Sequence, residues 1–289
     1  MAAAVAVGSA LLVGATSAAA TPPRLQHVTL IGDSVATAIT DTASAAAIVE
    51  QGVDIDLETA PCRRVDDLGC PGPDGVVPPS VVQLAQQLGP KLDPYVVVAV
   101  GYNDFQDHYA RNIENALAAF KAAGVKHVWW LTLRAAHHGY IDMNDDIEAA
   151  AQQHPEMTVI EWNIYSRSHP DWFQDDGLHL VQAGAEQMAT LIHRALLDGG
   201  IASPPVQVAT ASLPVAHRDQ PYVARLRAGK GLPPYRWSLL ARAPGGLHVE
   251  ATGVVEGSPH VKPGRYALDV KVKDAAGSFA TRILTLRVV

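Results

Sequence analysis

The sequence predicts a three-layer α/β domain with a mostly parallel sheet, followed by an all-β sandwich. Over residues 27–200, short β-like runs alternate with amphipathic helical patterns, which is the arrangement of α/β folds. From about Val206 to Val289 the pattern changes to short runs of alternating apolar and polar residues, separated by Gly and Pro turn signals. At 289 residues the chain is long enough for two such domains.

The composition is that of a globular protein and excludes one class of partner. Apolar residues make up 48% of the chain, charged residues 18%, and the formal net charge is −7. Nucleic-acid-binding domains carry a basic surface to meet the phosphate backbone. No nucleic-acid partner is therefore expected.

The amino-terminal residues predict export. Residues 1–20 are apolar or small throughout, and Ala18-Ala19-Ala20 supplies a small-residue cleavage site. We interpret this segment as a secretory signal peptide, with a secreted, extracellular product that begins at residue 21. The alternative is a membrane anchor, for which this Ala-rich and Gly-rich stretch is weakly hydrophobic.

The α/β region shows its strands as short apolar runs and its helices as periodic apolar faces. Continuous apolar runs are typical of buried parallel strands. One helix carries an apolar face from Tyr109 to Phe120 and stops at Gly124, and another carries a stripe from Met188 to Leu196. The predicted strands are His27–Ile31, Val53–Leu57, Tyr95–Val100, His127–Leu133 and Met157–Trp162.

The chain contains two cysteines, Cys62 and Cys70, close together in a stretch rich in Pro, Gly and Asp. In an oxidising compartment the simplest interpretation is a disulfide that holds a loop. Two ligands of a metal site are the alternative, but no nearby Cys/His pair completes such a site, so no metal is expected.

The carboxyl-terminal region follows a short linker. Asp198-Gly199-Gly200 ends the last helix, and Ala202–Pro205 contains the prolines of a connecting segment. Short alternating strands with regular turns predict a β-sandwich over residues 206–289. The alternating sets are Tyr222/Ala224/Leu226, Tyr235/Trp237/Leu239 and Tyr266/Leu268/Val270/Val272.

The first candidate site segment is Gly32-Asp33-Ser34, directly after the first strand and before a helical stretch. A serine at such a turn lies at the carboxyl edge of the sheet, where α/β folds place their sites. The following helix N-terminus favours negative charge, and the backbone N–H of Ser34 can serve an oxyanion hole. The alternative is that Asp33 or Ser34 caps the helix.

The second segment, Gly101-Tyr102-Asn103-Asp104, ends the strand that begins at Tyr95. The amide of Asn103 can donate to an oxyanion from this edge of the sheet. The alternative is again capping, with Asn103 or Asp104 at the start of the next helix.

The third segment is Asp176-Gly177-Leu178-His179. In a tight turn this spacing lets the Asp176 carboxylate reach Nδ1–H of His179, which orients the imidazole and stabilises the imidazolium. Asp175 is a competing partner, and an exposed histidine in an acidic loop is the alternative without function.

Taken together, residues 27–197 resemble the SGNH (GDSL-like) hydrolase family. The resemblance depends on Gly32-Asp33-Ser34, on Gly101-x-Asn103-Asp104 and on Asp176-x-x-His179. It implies a flavodoxin-like α/β/α domain that uses no cofactor. It also implies that Ser34 attacks an ester carbonyl, that His179 takes its proton and that Asp176 orients His179. The side chain of Asn103 then helps to bind the oxyanion.

One element of the family pattern is missing. The family has a glycine after the second strand whose N–H joins the oxyanion hole, and this chain has Ala60-Pro61-Cys62-Arg63-Arg64 there. Because the donor is main chain, the N–H of Cys62 or Arg63 can replace it, and Arg63 is the candidate that we name. The Arg63 and Arg64 side chains are expected to pair with Asp66-Asp67, with attraction of an anionic substrate as the alternative.

The C-terminal region resembles the immunoglobulin-like domains of secreted bacterial proteins. The resemblance depends on the segment from Gly231 to Leu239, on Gly246 to Gly257 and on Gly264-x-Tyr266 through Gly277. Such domains are spacers or surface-binding modules, so contact with a cell surface or a polysaccharide is possible and no catalytic residue is expected there.

These observations predict a secreted serine esterase that acts through an acyl-enzyme on a small-molecule, glycan or lipid ester. Two alternatives stay open. An acyltransferase on extracellular glycans would use the same acyl-enzyme with a sugar hydroxyl in place of water. A non-catalytic surface-binding protein would use the sandwich on an inactive hydrolase scaffold.

Overall fold

The computed structural model of the protein describes residues 24–136 and 138–289. The predicted signal peptide, residues 1–20, lies outside the described residues. The elements of the α/β region run from His27 to Asp198, and those of the β region from Gln207 to Val288. The division into folding units at 21–200 and 206–289 stays a prediction.

Five strands of the described chain form one parallel sheet in the order β2-β1-β3-β4-β5. This is the strand order of flavodoxin-like folds. The order in which strands are added to the sheet reverses between β1 and β3, which leaves a crevice at their carboxyl ends. The strands are β1 (His27–Gly32), β2 (Asp54–Thr59), β3 (Tyr95–Ala99), β4 (His127–Leu131) and β5 (Met157–Ile160).

Helices cover both faces of this sheet. One apolar core packs α1, α2 and α7 against one face, and a second core packs α3, α4 and α5 against the other. The predicted three-layer α/β class is confirmed. The helices are α1 (Thr37–Asp41), α2 (Ala43–Val49), α3 (Val81–Leu88), α4 (Gln106–Ala123), α5 (His138–Gln153), α6 (Trp162–Ser166) and α7 (Gln182–Asp198), with 3₁₀ turns at Gly89–Lys91 and Pro170–Trp172.

Local chemistry sets several element ends. Helix α3 begins with a capping box between Ser80 and Gln83. Helix α4 ends at Gly124, which has a φ of 94° as expected for a C-terminal glycine. The fourth strand ends two residues earlier than predicted, because the N–H and C=O of Leu133 both bond the side chain of Asn144 instead of a neighbouring strand.

The C-terminal region is all β. Its antiparallel sheets enclose an apolar core that includes Trp237, Val255, Val270 and Leu286. The predicted sandwich is confirmed. Its strands are β6 (Gln207–Val208), β7 (Tyr222–Arg225), β8 (Ala228–Gly229), β9 (Arg236–Leu239), β10 (Leu247–Val249), β11 (Val254–Gly257), β12 (Gly264–Lys273) and β13 (Phe279–Val288).

The linker meets the α/β region at the amino end of its sheet. The N–H of Ser203 donates to the carbonyl oxygen of Gly52 at 2.7 Å, two residues before β2 begins. A groove of about 500 Å³ beside this contact is lined by Glu50, His193 and residues 276–279 of the sandwich. In the part of the chain that the structure describes, no helix is both long and apolar enough to cross a membrane.

Candidate active site

Ser34 lies in the turn between β1 and α1. Helix α1 begins at Thr37 with Ala36 as its N-cap residue and has no side-chain cap. The hydroxyl of Ser34 therefore does not cap this helix, which removes the structural alternative for this residue. Its carbonyl oxygen accepts a hydrogen bond from the hydroxyl of Thr37 at 2.7 Å, which supports the turn.

Asp176 and His179 lie in a tight loop that precedes α7. The N–H of Gln174 donates to the carbonyl oxygen of His179 at 2.7 Å, which closes the loop. Gly177 has a φ of 67°, a left-handed conformation that favours glycine. Oδ1 of Asp176 accepts from the N–H groups of Leu178 and His179 at 2.8 and 2.9 Å, which holds this carboxylate in place.

The structure brings Ser34, His179 and Asp176 together in one line. Nδ1 of His179 lies 2.7 Å from Oδ2 of Asp176, and Nε2 of His179 lies 3.1 Å from Oγ of Ser34. A carboxylate can only accept, so Nδ1 carries the proton and Nε2 is left to accept from the serine hydroxyl. This is the arrangement in which an imidazole can remove the serine proton.

The Asp176 carboxylate remains ionised far into the acid range. The hydrogen bond from His179, followed by those from two backbone N–H groups, lowers the pKa of Asp176 to about 2. The side chains of Asp176 and His179 are 48% and 39% exposed. Water therefore reaches the base directly. Asp175, the competing partner in the sequence, makes no described contact with the imidazole.

Asn103 lies just past the carboxyl end of β3, the strand next to β1. Helix α4 has Phe105 as its N-cap residue and no side-chain cap, so neither Asn103 nor Asp104 caps it. Nδ2 of Asn103 donates to the carbonyl oxygen of Arg63 at 3.4 Å. Gly101 is required for space, because a Cβ there would lie 2.6 Å from the Tyr109 hydroxyl.

Asp33 has a larger role than the sequence indicated. Its side chain is fully buried, Oδ1 accepts from the N–H of Val35 at 3.0 Å, and Oδ2 accepts from the N–H groups of Gly101 and Tyr102 at 3.1 Å each. Burial raises the pKa of Asp33 to about 6, although these hydrogen bonds and His179 oppose the shift. The carboxylate joins the turn of Ser34 to the turn of Asn103.

The loop after β2 carries the predicted disulfide between Cys62 and Cys70. Cys62 has a φ of 64°, a conformation that costs a non-glycine residue on the order of 1 kcal/mol. This is the region where the family has its glycine. The N–H of Arg63, the donor named from the sequence, points instead to the carbonyl oxygen of Ala60 at 3.4 Å.

The carboxylate of Asp104 holds this loop. Its two oxygens accept from the N–H of Val65, at 3.0 and 3.2 Å, and the side-chain amide of Asn112 also bonds this carboxyl group. Burial raises the pKa of Asp104 to about 7, and the nearby charges of Asp33 and Asp67 act in the same direction. The sequence offered Asp104 only as a helix cap, because its partner is 39 positions away.

The expected pairing of Arg63 and Arg64 with Asp66 and Asp67 is wrong. Nη1 of Arg63 donates to the carbonyl oxygen of Glu58 at 2.8 Å, and the guanidinium of Arg64 lies over the Phe105 ring at 4.2 Å. The carboxylates of Asp66 and Asp67 accept instead from Asn115 and Asn112 of α4, at 2.7 and 2.8 Å. The asparagine amides take these carboxylates because α4 packs along the loop.

A set of possible metal ligands lies elsewhere. His248, Glu250 and Glu256 of the sandwich each place one donor atom within 4.8 Å of the others. Nε2 of His248 lies 3.2 Å from Oε1 of Glu256, so the two side chains already interact with each other. The catalytic edge of the sheet does not include these residues.

Comparison with known proteins follows the same two-part division. Residues 204–289 match the family described as "Putative Ig domain". Over 158 residues the chain is 24% identical to the "Putative peptidoglycan O-acetyltransferase YrhL" of Bacillus subtilis (strain 168). That alignment covers 54% of this chain and 24% of the relative, so the chain matches about a quarter of the relative's length.

Two solved structures are similar to the α/β region. One is the C-terminal catalytic domain of Streptococcus pneumoniae peptidoglycan O-acetyltransferase A, at 18% identity and a TM-score of 0.47, over 62% of this chain and 96% of that one. The other is the esterase EstA from Pseudoalteromonas sp., at 10% identity and a TM-score of 0.45, over 61% and 98%.

The family match over residues 204–289 confirms the predicted C-terminal immunoglobulin-like domain.

Proposed function

We propose that the protein is a serine esterase that cleaves a carboxylic ester through an acyl-enzyme on Ser34. The observation that carries this proposal is the line from Asp176 through His179 to Ser34, with gaps of 2.7 and 3.1 Å between the polar atoms. These are hydrogen-bond distances, so a proton can pass from the hydroxyl to the imidazole as the serine attacks.

The residues have defined roles in each step. Oγ of Ser34 forms a bond to the ester carbonyl carbon while its proton moves to Nε2 of His179, and Asp176 stabilises the imidazolium. The tetrahedral intermediate collapses, and the alcohol leaves with the proton from His179. Water then attacks the acyl-serine and gives its proton to His179, which passes it to Oγ of Ser34 as the bond to the acyl group breaks and the acid leaves.

The oxyanion requires donors at the same edge of the sheet. We assign the N–H of Ser34, Nδ2 of Asn103 and one N–H of the Cys62–Arg63 segment. Loss of one such donor typically lowers turnover by about 10²–10³-fold. Cys62 supports the third assignment better than Arg63, because Cys62 has the glycine-like φ of 64° and the N–H of Arg63 already has a partner.

A second candidate is acyl transfer to an extracellular glycan. The similarity to proteins named as peptidoglycan O-acetyltransferases favours it, and such an acceptor would place the enzyme outside the cytoplasm, as the predicted signal peptide does. The proposed partner is then a glycan ester or hydroxyl, and the C-terminal domain is proposed to contact the polymer.

One experiment separates these functions. The purified protein is incubated with p-nitrophenyl acetate, with and without a soluble peptidoglycan oligosaccharide, and products are identified by mass spectrometry. Release of acetate alone supports the esterase, and acetylated oligosaccharide supports the transferase. If neither product forms, while Ser34 also fails to react with a fluorophosphonate, both proposals are wrong and a non-catalytic binding role remains.

A further inference from the structure

The three proposed oxyanion donors belong to three separate backbone turns. Ser34 follows β1, Asn103 follows β3, and the Cys62–Arg63 segment follows β2. The sheet order β2-β1-β3 places these turns side by side. Backbone bonds between neighbouring strands reach only the first residue of these turns, from the N–H of Asp33 to Ala99 and from the N–H of Ala60 to Gly32. Beyond those residues, other interactions set the distances between the donors.

Asp33 makes the first connection. It immediately precedes Ser34, and Oδ2 accepts from both Gly101 and Tyr102, while Oδ1 accepts from Val35. The carboxylate is 0% exposed, so these contacts have no competition from water. The turn that carries Ser34 is thus bonded to the turn that carries Asn103.

Asp104 makes the second connection. It immediately follows Asn103, and both of its oxygens accept from the N–H of Val65, two residues beyond Arg63. Between these two connections, Nδ2 of Asn103 reaches the carbonyl oxygen of Arg63 at 3.4 Å. The turn that carries Asn103 is thus bonded to the disulfide loop.

We propose that Asp33 and Asp104 are positioning residues that assemble the oxyanion hole by bonding its three turns to one another. Neither carboxylate touches the reacting atoms. Each acts through backbone N–H groups that lie within three residues of a proposed donor. This inference rests on the proposed function, because the donors have a purpose only if an oxyanion forms.

The two carboxylates differ in a way that makes the proposal testable. Both oxygens of Asp104 share one backbone donor, the N–H of Val65, so an asparagine at 104 can keep that bond through Oδ1. The oxygens of Asp33 face three N–H groups on two sides. An asparagine at 33 would point its own NH₂ at one of these donors, so the conservative change cannot restore the connection.

The experiment measures kcat and KM on p-nitrophenyl acetate for Asp104→Ala, Asp104→Asn and Asp33→Asn. We expect Asp104→Ala to lower kcat about 10–100-fold, somewhat less than loss of a donor itself, with KM within about threefold. Asp104→Asn should retain kcat within about fivefold, and Asp33→Asn should not. Asp66→Ala is the matched control: it removes a carboxylate of the same loop that bonds Asn115, and kcat should stay within about threefold.

A second measurement is independent of turnover. Amide hydrogen exchange followed by NMR should show faster exchange of the Val65 N–H in Asp104→Ala than in Asp104→Asn or in the unmodified protein. A folded Asp104→Ala protein with unchanged kcat, or Asp104→Asn as slow as Asp104→Ala, would overturn the proposal. If the unmodified protein cleaves no ester, the proposed function fails, and exchange at Val65 then decides whether Asp104 holds the loop.

Discussion

Nε2 of His179 lies 3.1 Å from Oγ of Ser34, although 145 positions separate the two residues in the sequence. Ser34 is presented by the first strand of the sheet and His179 by the loop before the last helix of the α/β region. Their contact explains how two short motifs that are far apart in the sequence form one candidate pair of nucleophile and base.

The first prediction concerns this pair. Ser34→Ala and His179→Ala should each lower kcat on p-nitrophenyl acetate by about 10⁴-fold or more, and the double variant should lose little beyond that, because nucleophile and base act as a unit. Ser44→Ala is the control, since its hydroxyl bonds Glu186 on the surface. Near-normal turnover of a folded Ser34→Ala protein would show that another residue is the nucleophile.

The second prediction separates two neighbouring carboxylates. Asp176→Asn should lower kcat by about 10²–10⁴-fold, because a neutral amide does not stabilise the imidazolium charge and its NH₂ group favours the wrong tautomer of His179. Asp175→Asn is the matched control and should leave kcat within about threefold. Steady-state kinetics at pH 7.5 decide between them. Equal losses in the two variants would mean that the negative charge of the loop matters, and not the contact between Asp176 and His179.

The third prediction concerns stability against pH. Burial raises the pKa of Asp33 to about 6 and that of Asp104 to about 7, above the unfolded value of 3.8. Between about pH 4 and 7 the folded protein therefore binds more protons than the unfolded chain, so these groups make stability fall as pH rises through this window. From pH 5 to pH 8 the two groups together should cost about 4 kcal/mol of the free energy of unfolding.

Urea unfolding at pH 5 and pH 8 tests this sign. Asp104→Asn removes one of the two titrating groups, so its free energy of unfolding should depend less on pH than that of the unmodified protein. Asp41→Asn, at an exposed helix end, is the control and should preserve the dependence. A steeper dependence in Asp104→Asn would contradict the prediction.

The fourth prediction concerns the disulfide. Replacing Cys62 and Cys70 with Ser together should lower the free energy of unfolding by about 2–3 kcal/mol at most, because the closed loop spans only 8 positions. Turnover should fall as well, since the loop carries a proposed oxyanion donor. Unfolding and kcat are compared with and without reductant. If the reductant also changes the activity of the double variant, its effect does not come from this bond.

The fifth prediction concerns the C-terminal region. The linker contact between Ser203 and Gly52 lies at the amino end of the sheet, whereas Ser34 and Asn103 follow the carboxyl ends of β1 and β3. Residues 21–200 alone should therefore hydrolyse p-nitrophenyl acetate with kcat/KM within about threefold of the full chain. Loss of this activity in a truncated protein that keeps its circular dichroism spectrum would show that the sandwich completes the site.

The fold class, the order of the elements and the candidate residues Ser34, His179 and Asp176 could all be predicted from the sequence. Buried parallel strands are continuous apolar runs, and a helix stop such as Gly124 depends on the residues next to it in the chain. Both features can therefore be recognised from short stretches of sequence. The loop of Asp176 and His179 is equally local, because three positions join the carboxylate to the imidazole.

The contacts of Asp33, Asp104 and Arg63 depend on how the folded chain packs, and they could not be predicted from the sequence. Asp33 and Asp104 looked like helix caps, yet their backbone partners Gly101 and Val65 lie 68 and 39 positions away. Arg63 was expected to pair with nearby aspartates, and it bonds a strand-end carbonyl instead. A buried polar group must satisfy its hydrogen bonds with whatever backbone the packed sheet brings beside it, and sequence spacing carries no record of those neighbours.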